Sequence, residues 1–95
     1  MTMKRLDLII SEREVERICE ALRAAGAPGY TVMRHLTGFG QGGAVSEGMD
    51  FSGFGANAHV IVFCDPARLQ ALSDAVKPLL GYYGGVGFVS DAETL

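Results

Sequence analysis

No apolar run in this sequence exceeds about five residues before a charge or a glycine interrupts it, far short of the roughly 20 that a membrane-crossing helix requires. A membrane span is excluded, and with no signal-peptide pattern ahead of the first predicted strand the expected location is the cytoplasm. Basic clusters are also missing. Eight Lys and Arg are scattered among eleven Asp and Glu, the net charge is −3 and the pI about 5.2, so a nucleic-acid partner, which needs gathered positive charge, is not expected. Cysteine is scarce: Cys19 and Cys64 have no ligand spacing and read as buried thiols rather than a disulfide or metal pair. Nucleophiles lack partners as well. Ser46, Ser52 and Ser73 have no recognisable base and orienting group, and Glu12, Glu14, Glu16 and Glu20 read as the wet face of a helix, so an enzyme is not expected.

What the chain does have is glycine. Seven of its thirteen glycines fall between Gly38 and Ala56, a stretch that also contains no Lys or Arg. A loop this long and this glycine-rich inside so small a domain is either functional or disordered. Its flanks, 30–37 and 58–64, read as two antiparallel strands. Lys4–Ile10 reads as a central strand. Ser11 with Glu14 gives a capping box ahead of a helix over about 12–25, whose buried stripe is Val15, Ile18, Cys19, Leu22 and Ala25 and whose stop is Gly26. Pro28-Gly29 turns the chain into the first flanking strand. Asp65-Pro66 starts a second helix, with Leu69, Leu72, Ala75, Val76 and Leu79 inward and Pro78 bending or ending it. Leu80–Gly85 reads as a second glycine loop, Val86–Val89 as the last strand, and Ser90–Leu95 as a polar tail.

The order strand, helix, strand, strand, helix, strand predicts a ferredoxin-like βαββαβ fold: an α+β domain over residues 1–95 with a four-stranded antiparallel sheet and two helices on one face. No helix remains to cover the other face. With 48% apolar residues and a mean hydropathy of +0.22, a sheet carrying Ile9, Val60 or Ile61, and Val89 there is expected to pack against other subunits.

Four segments, Lys4–Ile10, Ala25–Val32, Gly38–Gln41 and Tyr83–Val86, resemble the PII signal-transduction superfamily over nearly the whole chain. The resemblance implies a homotrimer with an adenine nucleotide as effector in each cleft between subunits and no required cofactor. It makes the loop at 38–56 a T-loop and 80–85 a B-loop. Residues implied at the nucleotide are Gly29, Tyr30, Thr31, Gly38, Phe39, Gly40, Gln41, Val62, Tyr83, Gly84, Gly85, Val86 and Phe88. The chain departs from nitrogen-sensing PII proteins in several ways. Val86 replaces the B-loop lysine, no arginines match those that reach the phosphates near the C-terminus, and the spacing from Thr31 to Gly38 is one residue longer. Tyr83-Gly84-Gly85-Val86 and the 90–95 tail are more similar to the PII-like branch associated with carboxysomes and bicarbonate transport, which implies bicarbonate as a second ligand and a membrane transporter of inorganic carbon as partner. The two-cysteine tail of part of that branch is absent.

Backbone amides of left-handed glycines at Gly84-Gly85 or Gly38-Phe39-Gly40 can hold phosphate without Lys or Arg. So few cations neutralise three phosphates poorly, which favours AMP or ADP over ATP. A different reading starts from the histidines. If the flanking strands form a simple ladder, His35 and His59 face each other and, with Glu47 or Asp50 folding over, form a transition-metal site of the kind implied by a likeness to CutA or to PII-like proteins of metal efflux. A one-residue slip puts them on opposite faces. The segment 41–55 is expected to be disordered without ligand and to order with it, offering Val45, Met49, Phe51 and Phe54 to a neighbour or partner.

Overall fold

The computed structural model describes residues 2–40, 43–45 and 56–95. The chain runs β1 (Thr2–Ser11), a 3-10 turn (Glu12–Glu14), α1 (Val15–Ala24), β2 (Thr31–Leu36), β3 (Gly38–Gly40), β4 (Gly43–Val45), β5 (Asn57–Cys64), a second 3-10 turn (Pro66–Arg68), α2 (Leu69–Tyr83) and β6 (Val86–Glu93). Four strands form one sheet in the order β2-β5-β1-β6, with β1 antiparallel to both neighbours and β2 antiparallel to β5. This is the expected ferredoxin-like arrangement. Among the described residues no helix is long and apolar enough to cross a membrane.

Period-two alternation sorts the sheet into two faces. Leu6, Leu8 and Ile10 of β1 and Ala58, Val60, Val62 and Cys64 of β5 point toward the helices and pack against Val15, Ile18, Cys19 and Leu22 of α1 and Leu72 and Val76 of α2. Both helical stripes are those the spacing predicts. Gly26 ends α1 with φ 92°, and the Ala27 amide donates to the Leu22 carbonyl at 2.9 Å. Asp65 caps the second helical segment: its carboxylate accepts from the Ala67 amide at 3.4 Å, with Pro66 in the first turn. Both cysteines are buried and free, and burial pushes both thiols up, as inert core residues require.

The opposite face carries Met3, Arg5, Asp7 and Ile9 of β1, His59, Ile61 and Phe63 of β5, Met33 of β2, and Val86 and Phe88 of β6, and no helix among the described residues covers it. Cross-strand register decides between Val60 and Ile61 and corrects the placing of Val89. Val60 belongs to the core, and Val89, opposite Leu6, lies on the helix side, so Ile61, Val86 and Phe88 supply the apolar surface. Pro78 neither stops α2 nor shortens it. It lies on the exposed side of a helix that continues to Tyr83, so most of the segment read as a loop from Leu80 is helical. The lost i→i−4 bond of one exposed proline is outweighed by the packing of Leu79 and Leu80 on the core. The polar tail is strand as far as Glu93, because β1 begins early enough for Thr2 to pair with it.

One polar group is built into the open face. Arg5 Nε lies 3.1 and 3.0 Å from the two Asp7 carboxylate oxygens and Nη2 lies 2.9 Å from Oδ1, while His59 Nε2 reaches the same Oδ1 at 2.8 Å. The Phe63 ring sits 5.6 Å from the Arg5 guanidinium carbon. The Arg5 hydrogen bonds, and then those of His59, hold the Asp7 carboxyl below its ordinary range against the opposing effect of burial. Because the folded value lies below the unfolded one, the resulting stability is present above the usual carboxylate pKa of about 3.9 and is lost as pH falls through the lower folded value. The urea midpoint is therefore expected to fall as pH drops below about 4, and Asp7→Asn to flatten that acid limb while lowering the midpoint at neutral pH. An acid limb of unchanged slope in Asp7→Asn rejects Asp7 as its source.

Candidate functional site

The strand directions bring three functional segments to one end of the sheet. Ser11 and Leu36 both pair with Asn57, and Ile9 pairs with Val86, so the Glu12–Glu14 turn, the base of the 38–56 segment and the α2–β6 junction share that end. At the junction Gly84 has φ 88° and Gly85 φ 123°, conformations that side-chain-bearing residues rarely adopt. Gly85 has a second reason to be glycine. A Cβ there would stand 2.9 Å from the Ile9 carbonyl oxygen and 3.0 Å from Ile10 Cγ2, whereas one at Gly84 would meet nothing within 4 Å. The Gly84 amide donates to the Leu80 carbonyl at 2.9 Å and closes the helix, so of the two amides only that of Gly85 lies beyond the helix cap.

Gly38-Phe39-Gly40 is not a second left-handed nest. It is an extended strand whose ladder partners are Val45, Ala44 and Gly43, and Phe39 is 88% exposed on it. Extended backbone alternates the directions of successive amides and does not converge them on one anion. Gln41, Glu47 and Asp50 lie outside the described residues, as do Met49, Phe51 and Phe54 and most of the segment expected to be disordered; 43–45, within it, pair with β3.

The remaining nucleotide candidates divide between the two edges of the sheet. Gly29, Tyr30 and Thr31 lead into β2, one edge; Tyr83–Val86 and Phe88 line β6, the other. With β5 and β1 between them and strands about 4.8 Å apart, the two groups are separated by roughly 14 Å in one protomer. Val62 is fully buried among the core residues, so its side chain is unavailable to a ligand. Tyr30 turns to the helix side, where its hydroxyl is bonded by Arg23 and its ring packs against the core. Thr31, Val86 and Phe88 remain exposed.

Two features of this end escape a reading of the sequence. Arg17 of α1 places its guanidinium carbon 4.4 Å from the centre of the Tyr83 ring, with Nε 3.0 Å from a Glu14 oxygen, so a cation is stacked on the residue that precedes the glycine pair. The i,i+3 spacing of Glu14 and Arg17 is visible in the sequence; the contact with Tyr83 depends on how α1 packs against α2. Tyr82, 81% exposed, stands edge-on to Tyr83 with ring centres 4.7 Å apart.

The facing-histidine site does not form. Met33, not His35, stands in register with His59, and a bulge between Met33 and Leu36 breaks the simple ladder on which the pairing depends. Each imidazole lies against a carboxylate instead, His59 against Asp7 and His35 Nδ1 3.3 Å from Glu12. Among the described residues no group of three or more His, Cys, Asp or Glu could hold a metal ion.

Comparison with known proteins places this geometry. No curated protein matches the sequence. Among solved structures, CPII, a nitrogen regulatory PII-like protein from Thiomonas intermedia K12 bound to ADP, AMP and bicarbonate, is 26% identical over 99% of this chain and 89% of its own, with a TM-score of 0.87. CPII bound to ADP and bicarbonate gives the same identity and coverage with a TM-score of 0.83. A PII-like signalling protein from Thermus thermophilus, 17% identical over 97% of this chain and 88% of its own with a TM-score of 0.74, shares the fold. The family described as nitrogen regulatory protein P-II matches residues 3–95. The chain thus belongs to the P-II family of regulatory proteins, on the PII-like side that CPII represents.

Proposed function

We propose that the protein is a cytoplasmic homotrimeric regulator that binds AMP or ADP, together with bicarbonate, in clefts between subunits, and that its T-loop, over about 38–56, signals occupancy to a partner such as an inorganic-carbon transporter. The observation that carries the reading is the division of the candidate residues between opposite sheet edges. A ligand touching both Thr31 and Gly85 needs the β2 edge of one protomer beside the β6 edge of the next. The uncovered face bearing Ile9, Ile61, Phe63, Val86 and Phe88 supplies the apolar surface for that assembly. ADP, AMP and bicarbonate are what CPII holds, and a similar protein at 26% identity lends them as first candidates here.

On the phosphate side the chain offers the Gly85 amide and the stacked Arg17, with Val86 where a lysine would sit. This set suits one or two phosphates better than three. Calorimetric titration at physiological salt is expected to give ADP and AMP affinities at least equal to that of ATP, with or without magnesium, and stronger ADP binding when bicarbonate is present. ATP binding about tenfold tighter than ADP would reject the phosphate argument; no heat with any adenine nucleotide would reject the site.

A further inference from the structure

We propose that Glu12 is a positioning residue that fixes the base of the T-loop by holding the strand that enters it and the strand that leaves it. Between Met33 and Leu36, β2 carries one residue more than the stretch of β5 that it faces. Met33 pairs with His59 and Leu36 with Asn57, so Arg34 and His35 together stand against the single residue Ala58. His35 takes up the excess with φ 61°, the one left-handed non-glycine among the described residues. A residue with a side chain holds that conformation only where its surroundings impose it.

Glu12 imposes it. The His35 amide donates to Glu12 Oε2 at 2.8 Å, and His35 Nδ1 lies 3.3 Å from the same oxygen. The Glu12 backbone amide donates in turn to the carbonyl of Ala56 at 2.9 Å, where the chain returns to β5. The Glu12 side chain is 21% exposed and that of His35 61%. Both ends of the T-loop are thus tied to one residue in the turn between β1 and α1.

The alternative that Glu12 opposes is continuous register. Without the bulge, Arg34 would pair with Ala58 and His35 with Asn57, and every later residue of the strand would change face. Gly38-Phe39-Gly40 would then meet the ligand cleft shifted by one position. Glu12 selects the bulged arrangement, in which the His35 main-chain amide points at its carboxylate.

The test is amide hydrogen exchange by NMR on Glu12→Ala, Glu12→Gln and Glu12→Ala combined with His35→Gly. Glu12→Ala is expected to speed exchange at His35 by at least about tenfold and to shift the resonances of 34–40 while leaving those of the α2 core in place, since a charge-assisted bond is lost. Glu12→Gln, whose amide oxygen still accepts, is expected to stay within about threefold of the parent. His35→Gly in the Glu12→Ala background is expected to restore the 36–40 resonances, because glycine adopts the left-handed conformation without assistance. Unchanged exchange at His35 in Glu12→Ala overturns the proposal. So does a loss spread evenly over the domain that glycine fails to correct. A parallel ADP titration, expected to weaken about tenfold in Glu12→Ala, rests on the proposed function. If the parent binds no nucleotide that function fails, and the exchange experiment still decides the role of Glu12.

Discussion

Replacing Ile61 by Lys is expected to convert the proposed trimer, about 30 kDa for three copies of the 10.1 kDa chain, to its monomer at micromolar concentration. Ile61 occupies the middle of the uncovered face, between Thr31 of β2 and Asp7 of β1 in cross-strand register. In an isolated protomer the substitution puts an ammonium in water beside a carboxylate, and the helix-side core is untouched. In the assembly it brings cations together on a surface otherwise carrying Ile9, Phe63, Val86 and Phe88. Burying a poorly paired charge costs several kcal/mol per copy, a penalty that every copy in the proposed assembly would repeat. On the proposed inter-subunit site, ADP affinity should fall with the assembly by about 100-fold or more, because a lone protomer would keep only one edge's share of it. Light scattering supplies the first readout and calorimetry the second. A trimer that survives Ile61→Lys would show that the sheet faces do not meet, and ADP binding retained by a monomer would place the site within one chain.

Gly85→Ala is expected to cost roughly 2–4 kcal/mol in urea unfolding, and Gly84→Ala roughly 1–2. Both glycines have positive φ, so any side chain there pays the left-handed penalty. Only at Gly85 does the new carbon also run into rigid backbone, the Ile9 carbonyl oxygen of the central strand, with Ile10 and Leu80 closing the other sides. The difference between the two variants isolates this steric contribution. Equal costs would mean that β6 withdraws from β1 to admit the methyl. Gly84→Asp then provides the cleaner electrostatic probe, since its Cβ meets no atom within 4 Å. Its carboxylate is expected to weaken ADP binding about tenfold or more, at the backbone cost of the positive φ but without the clash with the Ile9 carbonyl that Gly85→Asp would add.

How much of this is legible in the sequence varies with the range of the interaction involved. The α1 stripe, the Gly26 stop and the Asp65-Pro66 start depend on residues within a turn of one another, and local spacing contains them. Pro78 misleads because its cost is local while the contacts that outweigh it, Leu79 and Leu80 on the core, come from tertiary packing. Pattern alone puts Val89 on the wrong face because strand parity is set by pairing with Leu6, eighty-three positions earlier. The bulge at Arg34 and His35 has no mark in the local pattern, and the Glu12 carboxylate bonded to the His35 amide lies in another element. For the same reason the His35 and His59 pairing fails: it assumes an unbroken ladder. Among the ligand candidates the glycine pair is identifiable from composition and resemblance, whereas Arg17 joins the candidates only through its stacking on Tyr83.

The strand order also governs how the chain acquires its structure during synthesis. β1 is made first and lies at the centre of the sheet, yet both of its partners, β5 and β6, come from the second half of the chain, and Thr2 ends opposite Glu93. The apolar face of β1 therefore has only α1 to shelter it while residues 57–93 are still being translated, and sheet closure must wait for them. Pairing between such distant residues is slow relative to helix formation. Thr2 and Glu93 lie side by side in the finished sheet, so this pairing, the most distant in sequence on β1, closes only once β6 is in place.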